Sequence, residues 1–136
     1  MKYEFLPHTA DVKFRAYGKT MEEAFSNAAL ALAEVITDYN KVEPNIEKTI
    51  EVESEDEKAL LYDFLEQFIV LLDSENFLLN SVKEIKIEDN KLKAVVVGDT
   101  TLEKYETETH IKAVTYQEME IKKEKGQYML QVVLDL

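Results

Sequence analysis

Apolar and polar residues alternate from the first positions of the chain. Met1, Tyr3 and Phe5 stand between Lys2 and Glu4, and Val12, Phe14 and Ala16 repeat the pattern after an interruption at Leu6-Pro7-His8-Thr9. A period of two predicts two half-buried strands, the second ending at Gly18. The period then changes. Met21, Ala24, Phe25, Ala28, Ala29, Leu32, Ala33 and Ile36 recur at helical spacing behind a capping box of Thr20 and Glu23, which predicts a helix with an alanine-rich face close to a sheet. Asp38-Tyr39-Asn40 marks its exit, and residues 41–45 read as a loop around Pro44.

Ile46, Ile50 and Val52, interleaved with Glu51 and Glu53, predict a strand with one solvated face. Ser54 and Glu57 have the spacing of a second capping box. Leu60, Leu61, Phe64, Leu65, Phe68, Leu71 and Leu72 form a stripe that Ile69 and Val70 widen, which predicts a well-buried second helix. Val82 to Glu88 and Leu92 to Val97 flank Asp89-Asn90 as a hairpin. Residues 99–110 are polar and read as a loop or a loosely ordered crossover. Ile111 to Ile121 is extended, a turn follows at Lys125-Gly126, and Tyr128 to Leu136 is the last strand. The predicted class is α+β, a single domain over residues 1–136. Its economical layout is a mostly antiparallel sheet packed against two main helices.

Composition narrows the function classes. The 136 residues suffice for a real apolar core, and 46% hydrophobic with 32% charged is an ordinary globular balance. There is no cysteine, which removes disulfides, thiolate zinc sites and cysteine nucleophiles. No run approaches the length of apolar sequence that a membrane span needs, and Glu4 and Pro7 interrupt any leader-like segment, so a cytoplasmic address without membrane contact is expected. Lys and Arg number 16 against 28 Asp and Glu, a net charge of -12, and Arg15 is the only arginine. That field repels phosphate backbones, so little independent nucleic-acid binding is expected; it suits cations and basic protein partners, or serves solubility alone.

Two segments carry candidate chemistry, and a third joins them. The sequence stops at Val133-Leu134-Asp135-Leu136, so the α-carboxylate of Leu136 sits one residue from an aspartate. Alternation puts Asp135 on the face of Val133, opposite Leu134. Two negative groups that close repel unless a cation bridges them or water separates them; fraying of the end is the plainer reading. Asp11 enters the second strand beside His8 and Thr9, where it either caps a turn or joins a site, and His8 is either a surface imidazole or a near neighbour of that site. Were the first and last strands adjacent, Asp11, Asp135 and the Leu136 carboxylate would converge as an all-oxygen set, which favours calcium or another hard divalent cation. Lys112, in the β-forming run His110 to Tyr116, either presents its ammonium beside the carboxylates or blunts an edge strand. No P-loop, GxGxxG, HExxH or GxSxG pattern is present.

Taken together, the segments His8-Thr9-Ala10-Asp11, Gly18-Lys19-Thr20 through Leu32, Leu60 to Asp73, Ile111 to Tyr116 and Val133 to Leu136 resemble the archease family along essentially the whole chain. The resemblance implies a small cytosolic cofactor of the RtcB-type RNA-splicing ligase, which promotes guanylylation and turnover of that ligase in transfer-RNA splicing and broadens its nucleotide use. It implies a metal site, commonly calcium, at Asp11, Asp135 and the terminal Leu136, and a functional lysine at Lys112, with His8 as a further candidate. One position departs: the family motif continues from Thr-Tyr to a histidine, and this chain has Gln117, which can hydrogen-bond but cannot shuttle a proton near neutrality. A stand-alone metal-dependent hydrolase, which would need an open coordination position, and a chaperone or adaptor, which would need an exposed apolar groove, are the competing readings. Oligomeric state stays open.

Overall fold

The computed structural model describes residues 1 to 136. Seven strands and two long helices follow one another as β1 (Tyr3–Leu6), β2 (Val12–Gly18), α1 (Met21–Ile36), β3 (Ile46–Glu53), α2 (Glu57–Glu75), β4 (Leu78–Glu88), β5 (Lys91–Asp99), β6 (Ala113–Glu124) and β7 (Gln127–Asp135). The expected α+β class is correct, but the strands divide between two antiparallel sheets. One has the order β1-β2-β7-β6 and the other β3-β5-β4. The helices lie between them, α1 touching β2 and β4, and α2 touching β6 and β3. Strand periodicity reports which face of a strand is buried and not which sheet buries it, so the division is not written in the pattern.

Placement between sheets explains the composition of α1. Ala24, Ala28, Ala29, Ala31 and Ala33 are all buried, so both sheets approach the helix closely. Gly18 serves the same approach: a Cβ there would stand 2.4 Å from the amide nitrogen of Ala24. Thr20 caps α1 by accepting from the amide of Glu23, while the Glu23 carboxylate returns to the amide of Lys19.

α2 departs from expectation twice. Its N-cap is Asp56, which accepts from the amide of Ala59 at 2.8 Å; Ser54 instead donates to Asp63 at 2.6 Å. The helix is also less buried than its stripe suggests, because only Leu60, Leu61, Phe64, Leu65 and Phe68 are fully covered and Val70 is exposed. The sheets enclose its first three turns and leave the last turns at the rim. A left-handed Asn76 ends it.

Both predicted tight turns are present with positive φ at both central residues, Asp89-Asn90 and Lys125-Gly126, the geometry that matches strand twist in two-residue hairpins. β4 begins four residues before the predicted Val82. The polar stretch 99–112 is an ordered crossover between the sheets. Asp99, 2% exposed, holds Thr100, Thr101 and Tyr105; Thr37 donates to the carbonyl of Glu106 and the amide of Glu108 to the carbonyl of Ile36. Thirty buried residues form one core between the layers. No helix is long and apolar enough to cross a membrane.

Candidate functional site

β7 is central in its sheet, and its register decides which chain positions meet. β2 pairs with it so that Val12 faces Leu134, and β6 so that Ala113 faces Asp135. The residue before Val12 is Asp11 and the residue after Leu134 is Asp135, so the two aspartates arrive side by side at one end of the sheet. Lys112 joins them through its amide, which donates to the carbonyl of Asp135 at 2.8 Å. The strand beside β7 is the second one and not the first; β1 lies outside it at the sheet edge.

The sheet thus brings Asp11, Asp135, Leu136 and Lys112 to one end. Asp11 is half-buried, Asp135 and Lys112 are exposed, and Leu136 packs its side chain against the core. No ion pair within 4.0 Å involves Asp135 or Lys112. Paired positions share a face of a sheet, which places Asp11 and Asp135 with Lys13 and Val133, as the alternation of the sequence indicates.

His8 comes from the turn before Asp11, where Ala10 has φ 67. Its Nδ1 stands 3.9 Å from Oδ2 of Asp11, and its Nε2 lies 2.9 Å from Oε2 of Glu118. The other Glu118 oxygen accepts from Lys13 Nζ at 3.2 Å. These two hydrogen bonds hold the Glu118 carboxyl below the usual carboxylate range, the bond with His8 being the larger cause and that from Lys13 the next.

Glu118 is the residue that sequence reasoning missed. It reaches His8 because β6 bulges: residues 116–119 stand opposite the single residue Val132, and Glu118 takes φ 52. Its carbonyl accepts from Gln131 Nε2 at 2.8 Å, and Gln131 accepts from Arg15 Nε at 2.9 Å. The sequence places Glu118 in a regular strand, and only the break of alternation across Tyr116-Gln117-Glu118 signals the bulge. Gln117 lies in the bulge with an exposed side chain, and its amide donates to Oγ1 of Thr115.

By chemistry alone, two carboxylates and a chain-end carboxylate at one end of the sheet are the donor types that a hard divalent cation takes. His8 Nδ1 is the one buried side-chain polar atom with no hydrogen-bond partner. No group of three or more His, Cys, Asp or Glu side chains gathers elsewhere or here, so the expected set depends on the carboxylate of Leu136 as its third oxygen group. The cavity lined almost wholly by apolar side chains, among them Leu32, Ile36, Phe68 and Phe77, measures about 10 Å³, too small for the apolar segment that a chaperone reading requires. The large exposed apolar residues Met1, Phe5, Val70 and Tyr116 are spread over the N-terminus, β1, α2 and β6.

Comparison with known proteins covers the whole chain. A profile of the archease protein family (MTH1598/TM1083) matches residues 3–136. The "Protein archease" of Thermococcus kodakarensis is 45% identical over 141 aligned positions, covering 99% of each chain. The solution structure of Methanobacterium thermoautotrophicum protein 1598 superposes with a TM-score of 0.85 at 40% identity, covering 99% of both chains. A Thermotoga maritima crystal structure, described as an archease and possible chaperone, shares the fold with a TM-score of 0.67 at 24% identity over 96% of this chain and 94% of the other.

Proposed function

The chain belongs to the archease family, and from that premise we propose that it is a non-enzymatic, cytoplasmic cofactor of an RtcB-type RNA-splicing ligase. In this reading it promotes guanylylation and multiple turnover of the ligase in transfer-RNA splicing and broadens its nucleotide choice. The observation that carries the reading is the register of the four-stranded sheet, which delivers Asp11, Asp135, Leu136 and Lys112 to one end without engaging the charged side chains of Asp135 and Lys112 elsewhere. Asp11, Asp135 and the Leu136 carboxylate would hold a hard divalent cation, calcium first, and the bound ion supplies a fixed positive charge that lets three negative groups stand together.

The chain's own residues do the rest. Sheet pairing fixes the backbone of Asp135 and of Val12 next to Asp11, so ordering the aspartates costs little on binding. Lys112, exposed at the same end, offers a mobile ammonium to a ligase carboxylate or a nucleotide phosphate. The net charge of -12 steers this end toward a basic active-site mouth and away from free RNA. Gln117, where the family has histidine, can hydrogen-bond across such a contact and cannot transfer a proton near neutrality.

The test is multiple-turnover ligation of a cleaved transfer RNA by the matching ligase, with GTP and manganese, at substoichiometric amounts of this protein. More turnovers per ligase and more guanylylated ligase are the expected result. Unchanged turnover by an active ligase would overturn the cofactor reading.

A further inference from the structure

We propose that the stacked rings of Tyr62 and Tyr116 are a docking point for an arginine side chain of a protein partner, with Asp56, Asp63 and Glu66 supplying the complementary charge. This goes beyond the ligase-cofactor reading and needs no bound ion.

Tyr62 lies on α2, and Tyr116 opens the bulge of β6, where the chain leaves its pairing with β7. The two rings are within 7° of parallel with centroids 4.5 Å apart, an offset stack. Tyr62 covers one face of Tyr116, yet Tyr116 remains 54% exposed, so the opposite face of its ring meets solvent. The other five tyrosines are served within the chain. The hydroxyls of Tyr3, Tyr17, Tyr39 and Tyr105 are hydrogen-bonded, and Lys123 stands over the ring of Tyr128 at 5.4 Å. β6 therefore supplies a cation to Tyr128 and none to its own Tyr116.

The charge around the pair is equally unanswered. Asp56 caps α2 and Asp63 accepts from Ser54, but neither bond neutralises a carboxylate. No lysine or arginine lies over either ring or forms an ion pair with Asp56, Asp63 or Glu66, although ion pairs are spread over the rest of the surface. Their field reaches the ring. Partial burial first, and the charge of Asp63 next, push the Tyr116 hydroxyl above its ordinary value, followed by Tyr62, Asp56 and Glu66. A negative group is penalised at that spot and a positive one favoured.

A guanidinium suits the place better than other occupants. It is planar and weakly hydrated, so on the outer face of Tyr116 it extends the stack while its N–H fork reaches toward carboxylates. A lysine ammonium offers charge without the plane. Nucleic-acid bases also stack on tyrosine, but their phosphates meet three carboxylates and a net charge of -12. A second copy brings the same negative charge, and its one arginine is held by Gln131.

The test is aromatic-ring NMR of the full chain at low salt, titrated with a short capped peptide carrying one arginine between glycines. Saturable shifts centred on Tyr62 and Tyr116 are expected, with the matching lysine peptide binding more weakly. Tyr116→Leu should weaken the arginine peptide about 3- to 30-fold, and Tyr116→Phe, which keeps the ring, should retain it. Glu66→Gln should weaken binding less and flatten its salt dependence. Unchanged signals from the rest of the chain show that the variants fold. Shifts spread over the acidic surface and indifferent to Tyr116→Leu would overturn the proposal, as would equal binding of the lysine peptide or no saturable binding at all. Larger shifts of the same rings with a single-stranded oligonucleotide, or on concentrating the protein alone, would also overturn it by giving the stack to RNA or to a second copy.

Discussion

Two aspartate environments in this molecule show how a carboxylate is kept for structure or left available for function. Asp99 closes β5 and is 2% exposed, yet it has no unmet demand: its oxygens accept from the amides of Thr100 and Thr101, the hydroxyl of Thr101 and the hydroxyl of Tyr105. Asp11 and Asp135 sit at the end of the other sheet, and the only basic side chain within 4.0 Å of either carboxylate is the imidazole of His8, 3.9 Å from Asp11. A carboxylate saturated by donors from its own loop has no capacity left for a ligand. A pair that backbone register holds side by side, with few donors supplied, has that capacity and a reason to use it. The difference lies in what surrounds the carboxyl: four donors close on Asp99, and no such set closes on Asp11 or Asp135.

The largest expected effect falls on the open pair. Asp135→Asn and Asp11→Asn each remove a negative donor while keeping shape, so stimulation of ligase turnover should drop more than tenfold, toward the level without this protein. The ion-free melting temperature should move little, because neither side chain is a core contact. Calcium at one hundred times its dissociation constant should stabilise the native chain by about 2.7 kcal/mol, a rise of roughly 10 °C, and that rise should vanish in both variants. A calcium-induced rise that survived Asp135→Asn would place the ion elsewhere. An ion-free chain that melted far below the native one would make Asp135 structural, like Asp99.

The converse variant comes next in size. Asp99→Ala leaves two amides and two hydroxyls without their shared acceptor in the crossover between the sheets, so thermal melting should fall by about 5 to 10 °C. The calcium-induced rise should persist unchanged. If Asp99→Ala abolished the calcium response as strongly as Asp135→Asn does, the two environments would be coupled through the crossover that runs from Asp99 to Lys112, and the contrast between them would fail.

Much of this contrast is legible in the sequence on one side and hidden on the other. Asp11 and Asp135 attract notice because each sits in a short motif next to a strand, and strand alternation places their side chains on a defined face. That they meet depends on which strands neighbour β7, which no single strand's period encodes. Asp99 is invisible by comparison. It begins a polar run of Thr, Glu and Lys that reads as solvent-exposed loop, and its burial comes from Tyr105 folding back over it. Glu118 is hidden for a related reason, since a bulge breaks the period that strand assignment depends on. The helices divide similarly. The alanine face of α1 signals close packing on its own, whereas the broad stripe of α2 does not reveal that its last turns lie at the rim of the layers.

The smallest effect isolates one bond in the closed environment. The Tyr105 hydroxyl donates to Oδ2 of Asp99 at 2.6 Å and accepts from the amide of Glu43 at 3.1 Å. That donation is the largest of the causes holding the Asp99 carboxyl below its ordinary value, ahead of the bonds from Thr101 and Thr100, with partial desolvation opposing them. A depressed folded value means that the charged form is favoured by folding. The resulting stability is fully present above the unfolded carboxylate value, near pH 4, and is lost as pH falls through the lower folded value. Tyr105→Phe keeps the ring and removes the donor, so its folded value should move back toward the ordinary one. At pH 7 the variant should melt about 2 to 4 °C below the native chain, and the gap should close as pH drops below about 4, where the native chain loses the same interaction. Melting both chains from pH 2.5 to 7 reads this directly. A gap that stayed constant across that range would assign the hydroxyl's contribution to the Glu43 amide and take the charge of Asp99 out of the account.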